Sequence, residues 1–384
     1  MNQESILFIN PDYHNSFILR DKFRDLGWKA EIIAHEGHNK KLLYQNDVFF
    51  FRRNASRKFL SRLNGIFVEL KFFFNIARCY KYHFYYGNIA IFTNSFIDRL
   101  INRFIKKKNF SLFLFLCKIF GIKILLVPSG CRDYETQANF LKFDDGNVCN
   151  NCAWKDWECN DKKNIKSFNL MKNYLDALVG IDVDESSQFK ATHIKYKSLD
   201  LDLWDPNLTV PEDYLLNKKK GELLILHSYF DEDRGENKKN IKGSPQVLKA
   251  IEELRNEGHK IKYIFIKDKH LKDMKYYQVQ ADIVVEQLIY GWWGSTGVET
   301  MSLGKPVICY LRESWIKNFH NYYPEIKSIP IVKANVFNIK DVLRQLIIDE
   351  EYRKKVSNNS REFAKDFFDV NKNIHPLISL LKSI

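Results

Sequence analysis

Short apolar runs alternate with longer amphipathic stretches over most of this chain, and that alternation constrains the fold more than any other feature. It is the signature of parallel strands joined by crossover helices. Ile6 to Ile9 predicts a first strand. Phe17, Ile18, Leu19, Phe23 and Leu26 then suit one face of a helix ending at Gly27. A strand around Ala30 to Ile33 completes a βαβ start, and further strands are predicted at Ile89 to Phe92, Lys123 to Val127 and Ala177 to Ile181. A second series opens after Asp205–Pro206. It comprises a strand at Glu222 to His227, a helix over Ser244 to Glu257 closed by Gly258, and a strand at Lys262 to Ile266. A helix near Leu271 to Gln280, a strand at Ile283 to Val285, a helix at Gly297 to Leu303 and a strand at Pro306 to Tyr310 follow. We expect an α/β protein of two domains, residues 1–205 and 206–365. Residues 366–384 are expected to form a helix packed back on the first domain.

The 384 residues are long enough for such a pair, and 45% apolar content excludes wholesale disorder. With 16 Gly and 9 Pro, collagen-like and linker-rich chains are excluded as well. No apolar stretch is long enough for a membrane-spanning helix, and the opening MNQESILFINPDYHNS lacks a basic segment followed by an apolar one. A cytoplasmic protein is expected, and its net charge of +13 points to anionic partners.

Residues 66–120 concentrate that charge. They hold sixteen aromatics and nine Lys or Arg against only Glu69 and Asp98. LKFFFNIARCYKYHFYY and FIDRLINRFIKKKNF mix bulky and cationic side chains at helical spacing. Such helices either seat on an anionic membrane face or form core helices with basic outer faces. Nucleic acid is not expected as a partner, because no recognition motif accompanies the charge.

Cys149 and Cys152 form a CxxC, with Cys131 before them and Cys159 after. Within a polar insertion spanning 131–160, these four thiols could hold a structural zinc ion, form a disulfide, or stay unpaired. With no His and no open ligand position there, a catalytic metal is not expected.

The most informative segment is ADIVVEQLIYGWWGSTGVETMSLGKPVICY, Ala281 to Tyr310. A strand ends at Val285, a glycine-containing loop follows, and a helix opens around Ser295 to Gly297. Amides at a helix start, reinforced by the helix dipole, suit a diphosphate. Glu299-Thr300-Met301-Ser302-Leu303-Gly304-Lys305-Pro306-Val307 resembles the donor-site signature of GT-B glycosyltransferases, especially the retaining group called family 4. The resemblance implies a GT-B fold, two Rossmann-like domains facing a cleft. It implies transfer of a sugar, with retention, from a nucleoside-diphosphate (NDP) sugar to a saccharide or lipid-linked acceptor in surface glycan biosynthesis.

It also implies roles for particular residues. Glu299 takes the place of the family's ribose-binding Glu, while the family's first Glu falls on Gly291, leaving Glu286 as its substitute. Asn240-Ile241-Lys242-Gly243-Ser244 resembles the family's Lys-Gly loop, in which Lys242 would clamp the diphosphate, with Lys239, Lys238 or Arg234 standing in for the usual Arg. Gly243, Gly294, Ser295, Thr296 and Gly297 would complete the donor site. Across the cleft the resemblance places His14, Asn15 and Ser16, and Arg132 in Ser129-Gly130-Cys131-Arg132-Asp133, beside sugar and acceptor. Leu199 to Pro206 resembles the interdomain linker. A GT-B epimerase, a non-catalytic subunit and a zinc-stabilised nucleic-acid-binding protein are the alternatives. The indoles of Trp292 and Trp293 could be a sugar platform or loop packing.

Overall fold

The computed structural model describes residues 3–35, 48–51, 59–87, 96–104, 110–128, 137–143, 147–152, 159–180, 191–229, 240–267 and 269–384. Among them, the first sheet contains β1 (Ser5–Ile9), β2 (Lys29–His35), β3 (Val48–Phe51), β4 (Tyr82–Tyr86), β5 (Lys123–Val127), β6 (Ala177–Gly180) and β7 (Thr192–His193). Their order is β3-β2-β1-β4-β5-β6-β7, and every pairing is parallel. The second sheet contains β8 (Leu223–Tyr229), β9 (Ile261–Lys267), β10 (Ile283–Val285), β11 (Val307–Cys309) and β12 (Ile331–Lys333). It is also parallel, in the order β12-β11-β10-β8-β9. Two Rossmann-like sheets in series are what the apolar runs predict.

The pleat of β1 shows why its run reads as continuously apolar. Ile6 and Phe8 face one core, with Phe17, Leu19 and Phe23 of α1 (Tyr13–Asp25). Leu7 and Ile9 face the other, with Phe72 and Phe73 of α2 (Phe59–Asn75) and Phe113 and Leu114 of α4 (Leu112–Ile119). Both faces are dry, so no polar alternation can appear. The same fact explains a correction. Tyr82 to Tyr86 sits in an aromatic stretch read as helical, yet it is β4, paired with β1 and β5 at the centre of the sheet. A short strand whose first four residues are buried on both faces carries no period to separate strand from helix. The run 89–92, read as a strand, lies outside the described residues. Leu271 to Gln280 is a short 3-10 turn, Leu271–Asp273, followed by one helical turn, Met274–Gln278.

The linker and the end of the chain meet. Leu199 donates its amide to Phe368 O (2.7 Å), and Val370 donates back to Leu199 O (3.1 Å). The helix Val370–Ser383 then buries Ile374, Leu377 and Leu381 in the core shared with α1. Arg361 fastens the linker from the other side, donating to Trp204 O (2.8 Å), Leu201 O (3.2 Å) and Ser302 O.

Both sheets reverse direction once. In the first the switch lies between β1 and β4, in the second between β8 and β10. Loops leaving adjacent strands there diverge to opposite faces and leave a crevice at the strand ends. The two crevices face each other.

Candidate active site between the two sheets

One cavity of about 240 Å³ occupies this meeting point. Its walls include Asp12 and His14 after β1, Tyr86 at the end of β4, Ser228 in β8, and Glu286 and Gln287 after β10. Lys242, Ser295, Thr296 and Glu299 line it from the second domain, and Asn15, Lys197 and Ser198 from the first. The topology therefore brings predicted donor-side and acceptor-side residues into one space.

Lys242 is carried by a rigid loop. Asn240 Oδ1 accepts the amide of Lys242 at 3.0 Å and that of Ser244 at 3.4 Å, while Lys242 O accepts from Leu288 N at 3.2 Å. Gly243 sits at φ +74°, where a side chain would be strained, and a Cβ there would press on Leu288. Beneath the loop His227 is fully buried, and burial pushes its pKa down to about 4, so the imidazole is neutral. Its Nδ1 donates to Val285 O (2.7 Å), which leaves Nε2 to accept from Ser244 Oγ (2.7 Å). His227 thus ties β8 and β10 to the start of the helix Ser244–Asn256.

Glu286 lies on the cavity wall and also braces the helix start beside it. It is buried, and its Oε1 accepts the amide of Gly294 at 2.6 Å, at the start of the helix Ser295–Ser302. Burial raises its pKa, partly offset by Lys242 and by the amides of Gly294 and Gly297. Gly294 and Gly297, both expected in the donor site, also make room for this carboxylate. A Cβ on Gly297 would overlap Glu286 Oε2, and one on Gly294 would lie 2.9 Å from Oε1. Ser295 and Thr296, next along the helix start, remain on the cavity wall.

Glu299 joins the two domains. Its Oε1 lies 3.2 Å from His14 Nε2, and its Oε2 accepts from Gln278 Nε2 at 2.6 Å. His14 packs edge-on against Trp204, with ring centroids 4.7 Å apart. Asn15 Oδ1 accepts the amide of Ser198 at 2.9 Å, and Ser16 Oγ accepts the amide of Asp12 at 2.8 Å. Ser16 therefore shapes the loop, whereas His14 and Asn15 line the cavity. Trp292 and Trp293 stack at 4.0 Å against each other and pack on Phe319, so they are loop packing.

Sequence reasoning missed Asp12. It is buried between two residues with positive φ, Asn10 (+59°) and Tyr13 (+37°). Non-glycine residues held there mark a loop fixed by its surroundings. Desolvation raises the Asp12 pKa to about 6, against the favourable influence of Lys197 and hydrogen bonds from Tyr86 and Asn15. Its position just past the carboxyl end of the first strand was the available signal; Lys197 had none. Because the folded pKa lies above the unfolded 3.8, folding opposes ionisation. The penalty is absent below pH ~4, grows through pH 6, and amounts to roughly 3 kcal/mol at neutrality. Asp12→Asn should therefore raise the melting temperature near pH 7.5 and lose most of that gain near pH 4.5, as read by paired thermal melts. An equal effect at both pH values would mean that the carboxylate is not buried as described.

Arg132, Lys238, Lys239, Arg234 and Cys131 lie outside the described residues. Cys149, Cys152 and Cys159 are half-buried and form no disulfide among the described residues. Among the described residues no group of three His, Cys, Asp or Glu is arranged to hold a metal ion.

No family model and no curated protein sequence matches the chain. Solved structures do. HepE of Anabaena, in complex with UDP and glucose, superposes with a TM-score of 0.59 at 13% identity over 99% of both chains. Sucrose-phosphate synthase of Thermosynechococcus elongatus gives 0.61 at 12% identity, again over 99% of both. A glycosyltransferase of Rickettsia africae gives 0.57 at 14% identity over 100% of this chain and 99% of that one. Along its whole length this chain shares the GT-B fold of those structures, two Rossmann-like domains facing a cleft.

Proposed function

We propose that the protein is a glycosyltransferase that moves a sugar from an NDP-sugar to a saccharide or lipid-linked acceptor. The observation carrying this reading is the cavity walled by Lys242, Ser295, Thr296 and Glu299 on one side and by Asp12, His14 and Asn15 on the other. The ETMSLGKPV resemblance supports the donor assignment and implies retention. Glu299 would hold the ribose hydroxyls, and Lys242 with the helix start at Ser295 would hold the diphosphate. Negative charge grows on that diphosphate as the glycosidic bond breaks, so a fixed cation and helix amides beside it lower the barrier. Lys239 and Arg132 belong to the same proposal as a second cation and an acceptor-side contact. A surface-glycan acceptor carried on lipid would bring the enzyme to the cytoplasmic face of an anionic membrane. Burial raises the Cys149 pKa and the neighbouring thiols of Cys152 and Cys159 raise it further, a repulsion that zinc with Cys131 as fourth ligand would relieve.

HepE was solved with UDP and glucose, so UDP-glucose is the first donor to try, with GDP- and CMP-sugars beside it. Radiolabelled donor, incubated with the protein and a bacterial lipid and saccharide extract, should lose its label to the acceptor fraction and release the nucleotide. Label that changes configuration while still bound to nucleotide would support the epimerase alternative instead. No consumption of any of these donors would overturn the reading.

A further inference from the structure

The aromatic, basic stretch presents a surface that the core does not use. On α2, Phe67, Lys71, Phe74 and Arg78 (Arg78 just beyond its end) recur at helical spacing and are all exposed, Phe67 by 70%. On α4 and its cap, Phe115, Ile119 and Phe120 are exposed, Ile119 by 60%. The Phe74 and Phe120 rings lie 6.0 Å apart, which joins the two rows into one face. The Arg78 guanidinium lies over Phe74 at 5.7 Å. The neighbouring side chains Phe72, Phe73, Phe113, Leu114 and Cys117 are buried and complete the core on this side of the sheet. Phe74 and Phe120 rest one edge on the buried Phe73 and still leave 40% and 46% of their surface to solvent. Single exposed apolar residues are ordinary, but a contiguous aromatic face is a binding surface.

Charge identifies the occupant. Glu69 and Asp98 are the acidic residues of α2, α3 (Phe96–Phe104) and α4, and both are buried. Among the described residues of these helices, the charges facing solvent are cations, including Lys71 and Arg103. Phe104, at the end of α3, is 78% exposed. Lys118 of α4 is paired with Asp176 at 2.7 Å, but aromatic rings flanked by Lys71 and Arg78 match the boundary between acyl chains and anionic headgroups. No described helix is long and apolar enough to cross a membrane, so the match is to its surface. The face lies on the sheet side opposite α1 and the C-terminal helix, clear of the interdomain core.

We infer that α2 and α4 dock on an anionic bilayer, with Phe67, Phe74, Phe115, Ile119 and Phe120 inserted and Lys71 and Arg78 on lipid phosphates. This goes beyond the transfer reading and does not depend on it, because docking needs no donor. The full chain should co-sediment with vesicles of mixed phosphatidylcholine and phosphatidylglycerol, and roughly tenfold less with phosphatidylcholine alone. Phe67→Ser with Ile119→Ser should lower binding roughly tenfold or more. Lys71→Glu with Arg78→Glu should do the same at low salt, with the salt dependence lost. Each variant is compared with wild type by circular dichroism and thermal melting, so that a folding defect is recognised. Equal binding to both vesicle types, or unchanged binding by both folded double variants, would overturn the inference. So would a self-association in light scattering that the variants abolish while the wild type ignores vesicles, since the face would then join two copies of this chain.

Discussion

Gly297→Ala should destabilise the protein by roughly 3 kcal/mol or more, although it adds a single methyl group. The added Cβ would meet Glu286 Oε2 on one side and Trp293 Cβ, at 2.9 Å, on the other. Neither neighbour is free to yield. Glu286 is buried and bonded to the amide of Gly294, and Trp293 is stacked on Trp292 and packed against Phe319 and Phe363. Displacing the carboxylate would also break a charge-assisted hydrogen bond and leave a buried acid without it. Gly65→Ala is the contrast. That glycine lies inside α2 with nothing within 4 Å of a Cβ, so alanine there should be neutral or stabilise by roughly 0.5–1 kcal/mol. Denaturant unfolding of both variants would show the difference. If they behaved alike, the seat described for Glu286 would be wrong.

Glu299→Gln should weaken nucleotide binding roughly tenfold or more, the scale of one lost charge-assisted hydrogen bond. The substitution keeps the volume of a residue only 2% exposed, so packing is conserved while charge is removed. The carboxylate is now shared between His14 from the facing domain and Gln278 from its own. A ribose diol would replace or share one of these contacts, and the amide of Gln offers one acceptor where the carboxylate offers two. The variant should melt close to wild type in the absence of ligand, which separates lost binding from lost fold.

Much of this organisation was legible in the chain, and what escaped did so for physical reasons. β5 and β10 fall on their predicted residues because each is a short aliphatic run bounded by turns. β4 escaped because YHFYY, dry on both faces, looks the same as a helical aromatic run. At the site, the segment from Glu286 to Pro306 announced itself through local glycines and a local resemblance. Asp12 and Lys197 were silent because each becomes interesting only when the fold brings them together, although they are far apart in sequence. Gly294 and Gly297 were legible as donor-site residues, but not as the seat of the chain's own Glu286. A glycine records that something must fit, not what it is.

The central claim is that the cleft is a donor site gripped at the ribose by Glu299 and at the diphosphate by Lys242. Calorimetric titration of the wild-type protein with UDP, GDP and CDP, each beside its nucleoside, tests it most directly. The account predicts one site per chain for one of the three diphosphates, binding much more tightly than the matching nucleoside, and weakened in Glu299→Gln. Equal affinity for diphosphate and nucleoside, or no binding of any of the three at millimolar concentration, would contradict it.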